Sequence, residues 1–352
     1  MSGGDRLRVG FVSGVRHAGQ YAAILAADPR VEIVGIAEEP DAPGWVRRDG
    51  ERVAGELGVP WSTDVLALCR GGLDLAVICS EPVRHARLAI EALTAGVHVL
   101  VDKPVATTVP DADAVLAAAD AAPGVCTVVN RTHSPAVSRL WRWVDAGHLG
   151  LPRHVDVEFL ASGAHFTASV ERPELVLDPA LSGGGELLNF LGYAVDYIRY
   201  LTGLEIVDVY AEAGTLFDAG HAAHGVEDCA VVSLGLRNGV TATATVGRIP
   251  YAPGLGAGSS TIRLIGSHGH AVADDDLPQV LRYGNGVAGL PVAGGGAEAA
   301  LTAFLTDLVG HLLAGTRPRY GVADARAAMA VIDAAYRSVA TGRTALVAQS
   351  RA

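Results

Sequence analysis

The sequence predicts a fold in two parts. An α/β unit with a doubly wound parallel sheet is followed by an α+β unit with a large, mostly antiparallel open sheet. Three observations carry this expectation. Residues 1–130 alternate short β-branched runs with Ala- and Leu-rich stretches of helical spacing. After Asn130 the runs lengthen and alternate apolar with polar residues, and two of them are joined by Asn238-Gly239. Helical spacing then returns over Ala297–Leu313 and Ala323–Ala340. With 352 residues, 50% hydrophobic and 18% charged, the chain can fill two cores. The expected units are 1–130 and 131–352, with the last helices free to pack back on the first.

The first-unit strands are expected at Leu7–Val12, Val31–Ile36, Leu73–Ile78, Val97–Val101 and Val125–Val129. Such short apolar runs suit strands buried on both faces, and helices such as Arg84–Ala95 and Asp111–Ala121 between them indicate parallel crossovers. In the second unit a helix near Pro135–Ala146 precedes a strand, Arg153–Leu160, a polar loop reaching Ser182 and a helix near Glu186–Leu201. Strands follow at Asp228–Leu236, Thr241–Arg248 and Thr261–Ile265, the first two forming a hairpin on Asn238-Gly239. The Gly-rich pieces Gly254–Gly258 and Gly284–Gly296 are expected to be surface loops.

A formal charge of −11 argues against nucleic acid or an anionic membrane surface as partner. No run of about 18 apolar residues is present, so no bilayer span is expected. The start MSGGDRLRVGFV enters a strand at once, which leaves no room for a signal peptide. Cys69, Cys79, Cys126 and Cys229 show no CxxC spacing and read as core thiols of a reducing compartment. A cytoplasmic protein is expected. His221 and His224, and His268 and His270, lack acidic or thiol partners at ligand spacing, so no metal is expected.

One residue stands apart. Among 27 basic residues, Lys103 in VLVDKPVATT is the single lysine. Arginine would serve as well in a surface ion pair, but guanidinium cannot be tuned toward neutrality, whereas a buried ammonium can. Lys103 follows the fifth strand, at the carboxyl edge where open α/β sheets bind ligands. Burial would push its pKa down from about 10.4, and Asp102, if close, would oppose this.

The loop GFVSGVRHAGQ (residues 10–20) sits where a GxGxxG dinucleotide fingerprint would lie, with Ser13, Val15 and Ala18 at the three glycine positions. The Cβ of Val15 is expected to hold the backbone away from a pyrophosphate. The helix start still offers N–H groups to an anion, and Arg16 and His17 add positive charge. Glu38, about twenty residues on, can accept both hydroxyls of an adenosine ribose and would repel a 2′-phosphate, which favours NAD over NADP. In LSGGGELLNFLGYAVDYIRYL (181–201) the glycines permit a close backbone approach, and Asn189, Tyr193 and Asp196 share a helix face.

Together these residues resemble the Gfo/Idh/MocA oxidoreductases over nearly the whole chain. VLVDKPVA is similar to that family's E-K-P motif, with Asp102 for Glu. ICSEPVRHARLAIEALTAGVHVL resembles the preceding segment, with His85 matched and Pro82 where Asn is common. VVNRTHSPAVSRL looks like its N-R stretch, SGGGELLNFLGYAVD like GGGxLxDxGxHxxD, and AYRSVATGRTALV like its tail.

The resemblance implies a Rossmann domain with tightly bound NAD and a sugar-, cyclitol- or polyol-like substrate. Lys103 becomes the acid/base, with Tyr193 assisting. The cofactor residues become Ser13, Gly14, Val15, Arg16, His17, Ala18, Glu38, Ser80, Glu81, Pro82, His85, Asp102, Lys103 and Asn130. The substrate would meet Lys103, Asn130, Arg131, His165, Asn189, Tyr193 and Arg248. The resemblance also implies a homodimer or homotetramer formed through the second-unit sheet.

Three departures stand out: the degraded glycine fingerprint, Asn189 for Asp, and Tyr193 for His with Leu191 for the Gly before it. A phenol of pKa near 10 suits proton donation to a ketone, which points toward ketone reduction. The departures also leave open a family member that binds dinucleotide or sugar without catalysis, and an enzyme in which oxidation at one carbon labilises a bond at the next.

Overall fold

The apolar runs of the first unit become one parallel sheet. This is a computed structural model, and it describes residues 6–162, 172–250, 258–274, 279–284, 286–291 and 296–349. Strands β1 (Leu7–Val12), β2 (Val31–Ala37), β3 (Trp61–Ser62), β4 (Leu75–Ile78), β5 (His98–Val101) and β6 (Cys126–Val128) lie in the order β3-β2-β1-β4-β5-β6. Every pairing is parallel. The two-residue β3 is too short to show a period and was not expected. Between the strands run α1 (Ala18–Ala26), α2 (Gly44–Leu57), α3 (Val65–Arg70), α4 (Pro82–Thr94) and α5 (Val109–Ala121). Strand order reverses between β1 and β4, which opens a crevice at their carboxyl ends.

The second unit begins with α6 (Pro135–Asp145) and the long β7 (Pro152–Ser162). Two four-residue helices, α7 (Glu174–Leu177) and α8 (Pro179–Ser182), replace the end of the expected polar loop. Pro173 and Asp178 start them, the Asp178 side chain accepting from the Ala180 N–H at 2.9 Å. Then come α9 (Glu186–Thr202), β8 (Ile206–Gly214), α10 (Ala219–His224), β9 (Cys229–Leu236) and β10 (Thr241–Ile249). Asn238, at φ 65°, and Gly239, at φ 74°, make the turn between β9 and β10. Four further strands, β11 (Gly258–Gly266), β12 (His270–Asp274), β13 (Gln279–Gly284) and β14 (Gly286–Pro291), lead to α11 (Gly296–Ala314), α12 (Val322–Thr341) and β15 (Ala345–Leu346).

These strands form a sheet in the order β14-β13-β12-β11-β7-β10-β9-β8-β15. Only the β7–β10 pair is parallel among the pairings described. The expectation of loops over Gly284–Gly296 is corrected, because Gly286–Pro291 pairs with β13 from Gly284↔Gly286 to Gln279↔Pro291. Glycine keeps both backbone hydrogen-bonding groups, and an edge strand tolerates glycine and a terminal proline that a central strand would not. Gly258 opens β11 rather than closing a loop, and residues 254–257 lie outside the described residues.

The units share cores. On α11, Leu301, Phe304, Leu305 and Leu308 join Leu7, Val9 and Phe11 of β1 and Tyr21 of α1 in one buried cluster. α12 packs on α5, α9 and β8. The four cysteines are buried free thiols. Among the described residues there is no His/Cys/Asp/Glu group arranged to hold a metal, and no helix long and apolar enough to cross a membrane.

Candidate active site

Lys103 follows β5 and is 9% exposed. Its Nζ donates to the Asn189 backbone oxygen at 3.0 Å and to the Asn189 side-chain Oδ1. It also lies 5.2 Å from the ring centroids of both Phe190 and Tyr193, within cation–π range. Tyr193 stacks on Phe159 at 4.9 Å, and Arg131 lies 5.1 Å above Phe159 and 5.9 Å from Tyr193. Lys103, Arg131, Asn189 and Tyr193 are therefore brought together against an aromatic wall. His165 lies outside the described residues.

The carboxylate of Asp102 accepts from the Lys103 backbone N–H at 2.9 Å and reaches the first loop and α1. It accepts from the Tyr21 hydroxyl at 2.6 Å, meets His17 Nδ1 at 2.9 Å and lies 3.5 Å from Arg16 Nε. Burial alone would raise its pKa, but the charges of His17, Arg16 and His85 hold it well below the ordinary carboxylate range. Asp102 therefore binds the first loop to the end of β5.

That loop is built differently from the expectation. Ser13, at φ 68°, takes the left-handed turn a glycine would make. Val15 is 3% exposed and packs with Ala42, Val46 and Leu175, so its Cβ serves a small core. Gly14 is the glycine the loop needs, because a Cβ there would come within 2.5 Å of the Gly50 Cα on α2. Ala18 opens α1, with His17 at its N-cap.

Glu38 directly follows β2 and is fully buried. Its Oε1 accepts from Arg84 Nη1 at 2.8 Å, while its Oε2 is buried without a hydrogen-bond partner. The Ser13 hydroxyl is likewise buried and unpartnered. Two orphaned oxygens at the carboxyl ends of β1 and β2 fit the ribose and phosphate groups of a dinucleotide. Arg84 was missed by sequence reasoning. It reaches Glu38, Glu39 and Glu81 at once, an arrangement that needs the fold to assemble it.

Several expected cofactor residues are also tied to their protein neighbours. His85 is fully buried between the Pro104 oxygen at 2.6 Å and the Ser80 oxygen at 2.9 Å, and burial lowers its pKa. The Ser80 hydroxyl donates to the Glu81 carbonyl, Glu81 accepts from Arg84, and Pro82 starts α4. Asn130 accepts from the Thr132 N–H and hydroxyl and donates to the Val128 oxygen, which closes the turn leaving β6.

The three glycines before α9 answer to protein neighbours. A Cβ on Gly184 would meet the Tyr336 hydroxyl at 2.5 Å, and one on Gly185 the Glu227 carbonyl oxygen at 2.4 Å. Glu227 in turn receives the Leu187 N–H at 3.0 Å, fixing the start of the helix that carries Asn189 and Tyr193. Arg248, expected to line the substrate pocket, donates from Nε to Glu186 Oε1 at 2.7 Å and lies 5.6 Å from the centroid of the Phe190 ring that Lys103 also faces.

Asp196, one turn beyond Tyr193, accepts from the Tyr320 hydroxyl at 2.8 Å. Burial pushes its carboxyl up to about 8, against the pull of Tyr320 and Arg199. A carboxyl more easily protonated folded than unfolded stabilises the native state below its ordinary 3.8, and that stability is lost as pH rises through about 8. Asp196→Asn keeps an acceptor for Tyr320 without the charge. Its Tm advantage over the wild type should grow by about 5 °C between pH 5 and pH 9. A pH-independent difference in thermal scans would contradict this.

A doubly wound sheet with a crevice at the carboxyl ends of β1 and β4, followed by a second unit that brings Asn189 and Tyr193 to Lys103, is the architecture of a two-domain protein whose first domain is Rossmann-like. Residues 7–130 match the oxidoreductase family with an NAD-binding Rossmann fold, and residues 137–272 match the GFO/IDH/MocA C-terminal domain. The chain belongs to the Gfo/Idh/MocA oxidoreductase family, and its first domain is an NAD-binding Rossmann domain.

It is 27% identical over 208 residues to the uncharacterized oxidoreductase YrbE of Bacillus subtilis, covering 58% of this chain and 57% of that protein. It is 28% identical over 168 residues to a myo-inositol 2-dehydrogenase of Thermotoga maritima, covering 47% of each. The matched segments thus span about half the length of these relatives. In fold it resembles a levoglucosan dehydrogenase solved with NADH and levoglucosan, with TM-score 0.83, 19% identity, and coverage of 98% of this chain and 100% of the other.

Proposed function

We propose that the protein is an NAD-linked oxidoreductase interconverting a secondary alcohol and a ketone on a sugar-, cyclitol- or polyol-like substrate. The observation that carries this reading is the burial of the chain's single lysine at the carboxyl end of β5, against Asn189 and two aromatic rings. Bound nicotinamide supplies or accepts the hydride. In ketone reduction the Lys103 ammonium gives a proton to the carbonyl oxygen, and in alcohol oxidation the amine takes it back. Asn189 holds the ammonium, Phe159, Phe190 and Tyr193 keep water from it, and Arg131 reaches the substrate's oxygens. The Tyr193 hydroxyl assists proton donation, which favours reduction. Glu38 holds the ribose.

The substrate class rests on the inositol dehydrogenase among the relatives. The reasons for a binding-only protein lose force, because Val15 packs inward and a carboxylate stands directly behind Asn189. We assign the open face of the second sheet to a further copy of the chain.

The reading is tested by titrating NAD and NADP and following absorbance at 340 nm with a panel of cyclitols, aldoses and their keto forms. Turnover with NAD on at least one member is expected. Glu38→Ala should weaken NAD binding about tenfold, as loss of one charged hydrogen bond implies. NADP preference, or binding without turnover across the panel, would overturn the reading.

A further inference from the structure

An amide has two faces, and only one of them suits an ammonium. For Asn189 to present Oδ1 to Lys103, its NH2 must point the other way and be held there. The holder is Glu186, three residues earlier on α9 and fully buried, whose Oε2 accepts from Asn189 Nδ2 at 2.7 Å. Its other oxygen accepts from Arg248 Nε at 2.7 Å and meets His221 Nε2 at 3.2 Å, and His221 Nδ1 meets Asp218 Oδ2 at 2.6 Å. His221, from which no metal was expected, is therefore the buried histidine of an ion cluster.

We propose that Glu186 is a positioning residue: clamped by Arg248 and His221, it fixes the Asn189 amide so that its oxygen faces Lys103. The proposal rests on the reading of Lys103 as acid/base. A rotated amide would set NH2 against NH3⁺, donor against donor. Burial alone would raise the Glu186 pKa, yet Arg248, with His221 and Asn189, keeps it below the ordinary range, so the acceptor stays charged. For His221 the two carboxylates outweigh burial and raise its pKa, which keeps it a donor. The carboxylate absent at position 189 thus acts from one turn back.

The test exchanges the two groups. Glu186→Gln frees the amide, while Glu186→Gln with Asn189→Asp restores one carboxylate and one amide with the cluster's charge unchanged. Because Lys103 is the single lysine, its arylation by fluorodinitrobenzene, located by peptide mass at fixed pH, reads its environment without any substrate. Glu186→Gln should speed Lys103 labelling at least about threefold and lower kcat about tenfold with KM little changed. The exchanged pair should return both to within about twofold of wild type. If Glu186→Gln does not fold, Glu186→Asp is substituted: it keeps a carboxylate for Arg248 and His221 but draws it back from Asn189, and the same faster labelling and lower kcat are expected.

Unchanged labelling in the single variant, or no rescue in the exchanged pair, overturns the proposal. Lys103→Arg, assayed alongside, separates the two claims. If it is inactive while Glu186→Gln behaves as wild type, only the positioning role falls. If it is fully active, the acid/base reading falls and this proposal with it.

Discussion

Lys103→Arg is expected to lower kcat by about 10³-fold or more while leaving NAD affinity nearly unchanged. The substitution is close in every respect but one. Guanidinium carries the same charge, can still lie over Phe190 and Tyr193, and can still donate to Asn189. It cannot give up a proton at any pH at which the protein is folded. A general acid/base contributes about 10²–10⁴-fold, and the slightly longer, planar head adds a cost in alignment. Steady-state kinetics with a substrate from the panel, paired with an NAD titration, give the result. Turnover within tenfold of wild type would remove Lys103 from the chemistry.

The second large effect is on stability. Asp228→Ala is expected to destabilise the fold by about 4 kcal/mol. The Asp228 side chain is fully buried and accepts from three successive backbone N–H groups: Leu216 at 2.9 Å, Phe217 at 2.7 Å and Asp218 at 2.7 Å. Alanine would leave all three donors without an acceptor, and unmade buried hydrogen bonds cost more than made ones contribute. Denaturant titration checks the magnitude, and a loss below about 1 kcal/mol would mean that the loop finds other acceptors. The same carboxylate fixes the backbone of Asp218, which holds His221.

Much of the architecture was readable because it is periodic. Runs such as Leu7–Val12 and the Asn238-Gly239 turn need only local chemistry. Lys103 was found by rarity combined with its place after a strand. What escaped lacked a local signature. The two-residue β3 is too short to have a period, and β14 is glycine-rich yet pairs through its backbone. Val15 reads as a spoiled fingerprint until Leu175 is seen against it.

The ion pairs escaped for another reason. Arg84 and Glu38 are 46 positions apart, and Arg248 and Glu186 are 62 apart, so no spacing rule connects them. The hold of Arg248 on the residue behind Asn189 was accordingly not foreseen. His85 and Asn130 are at the expected positions, but their polar atoms are satisfied by nearby backbone and by Thr132.

The seating of α11 against β1 and α1 bears on how the polypeptide is made. Leu7, Val9 and Phe11 leave the ribosome well before Phe304, Leu305 and Leu308, which share their cluster. Domains usually fold as they emerge, but here one flank of the first sheet is shielded from water only after α11 has followed strands β7–β14 out of the ribosome. Until then its nascent form presents a greasy surface, a natural target for a holding chaperone.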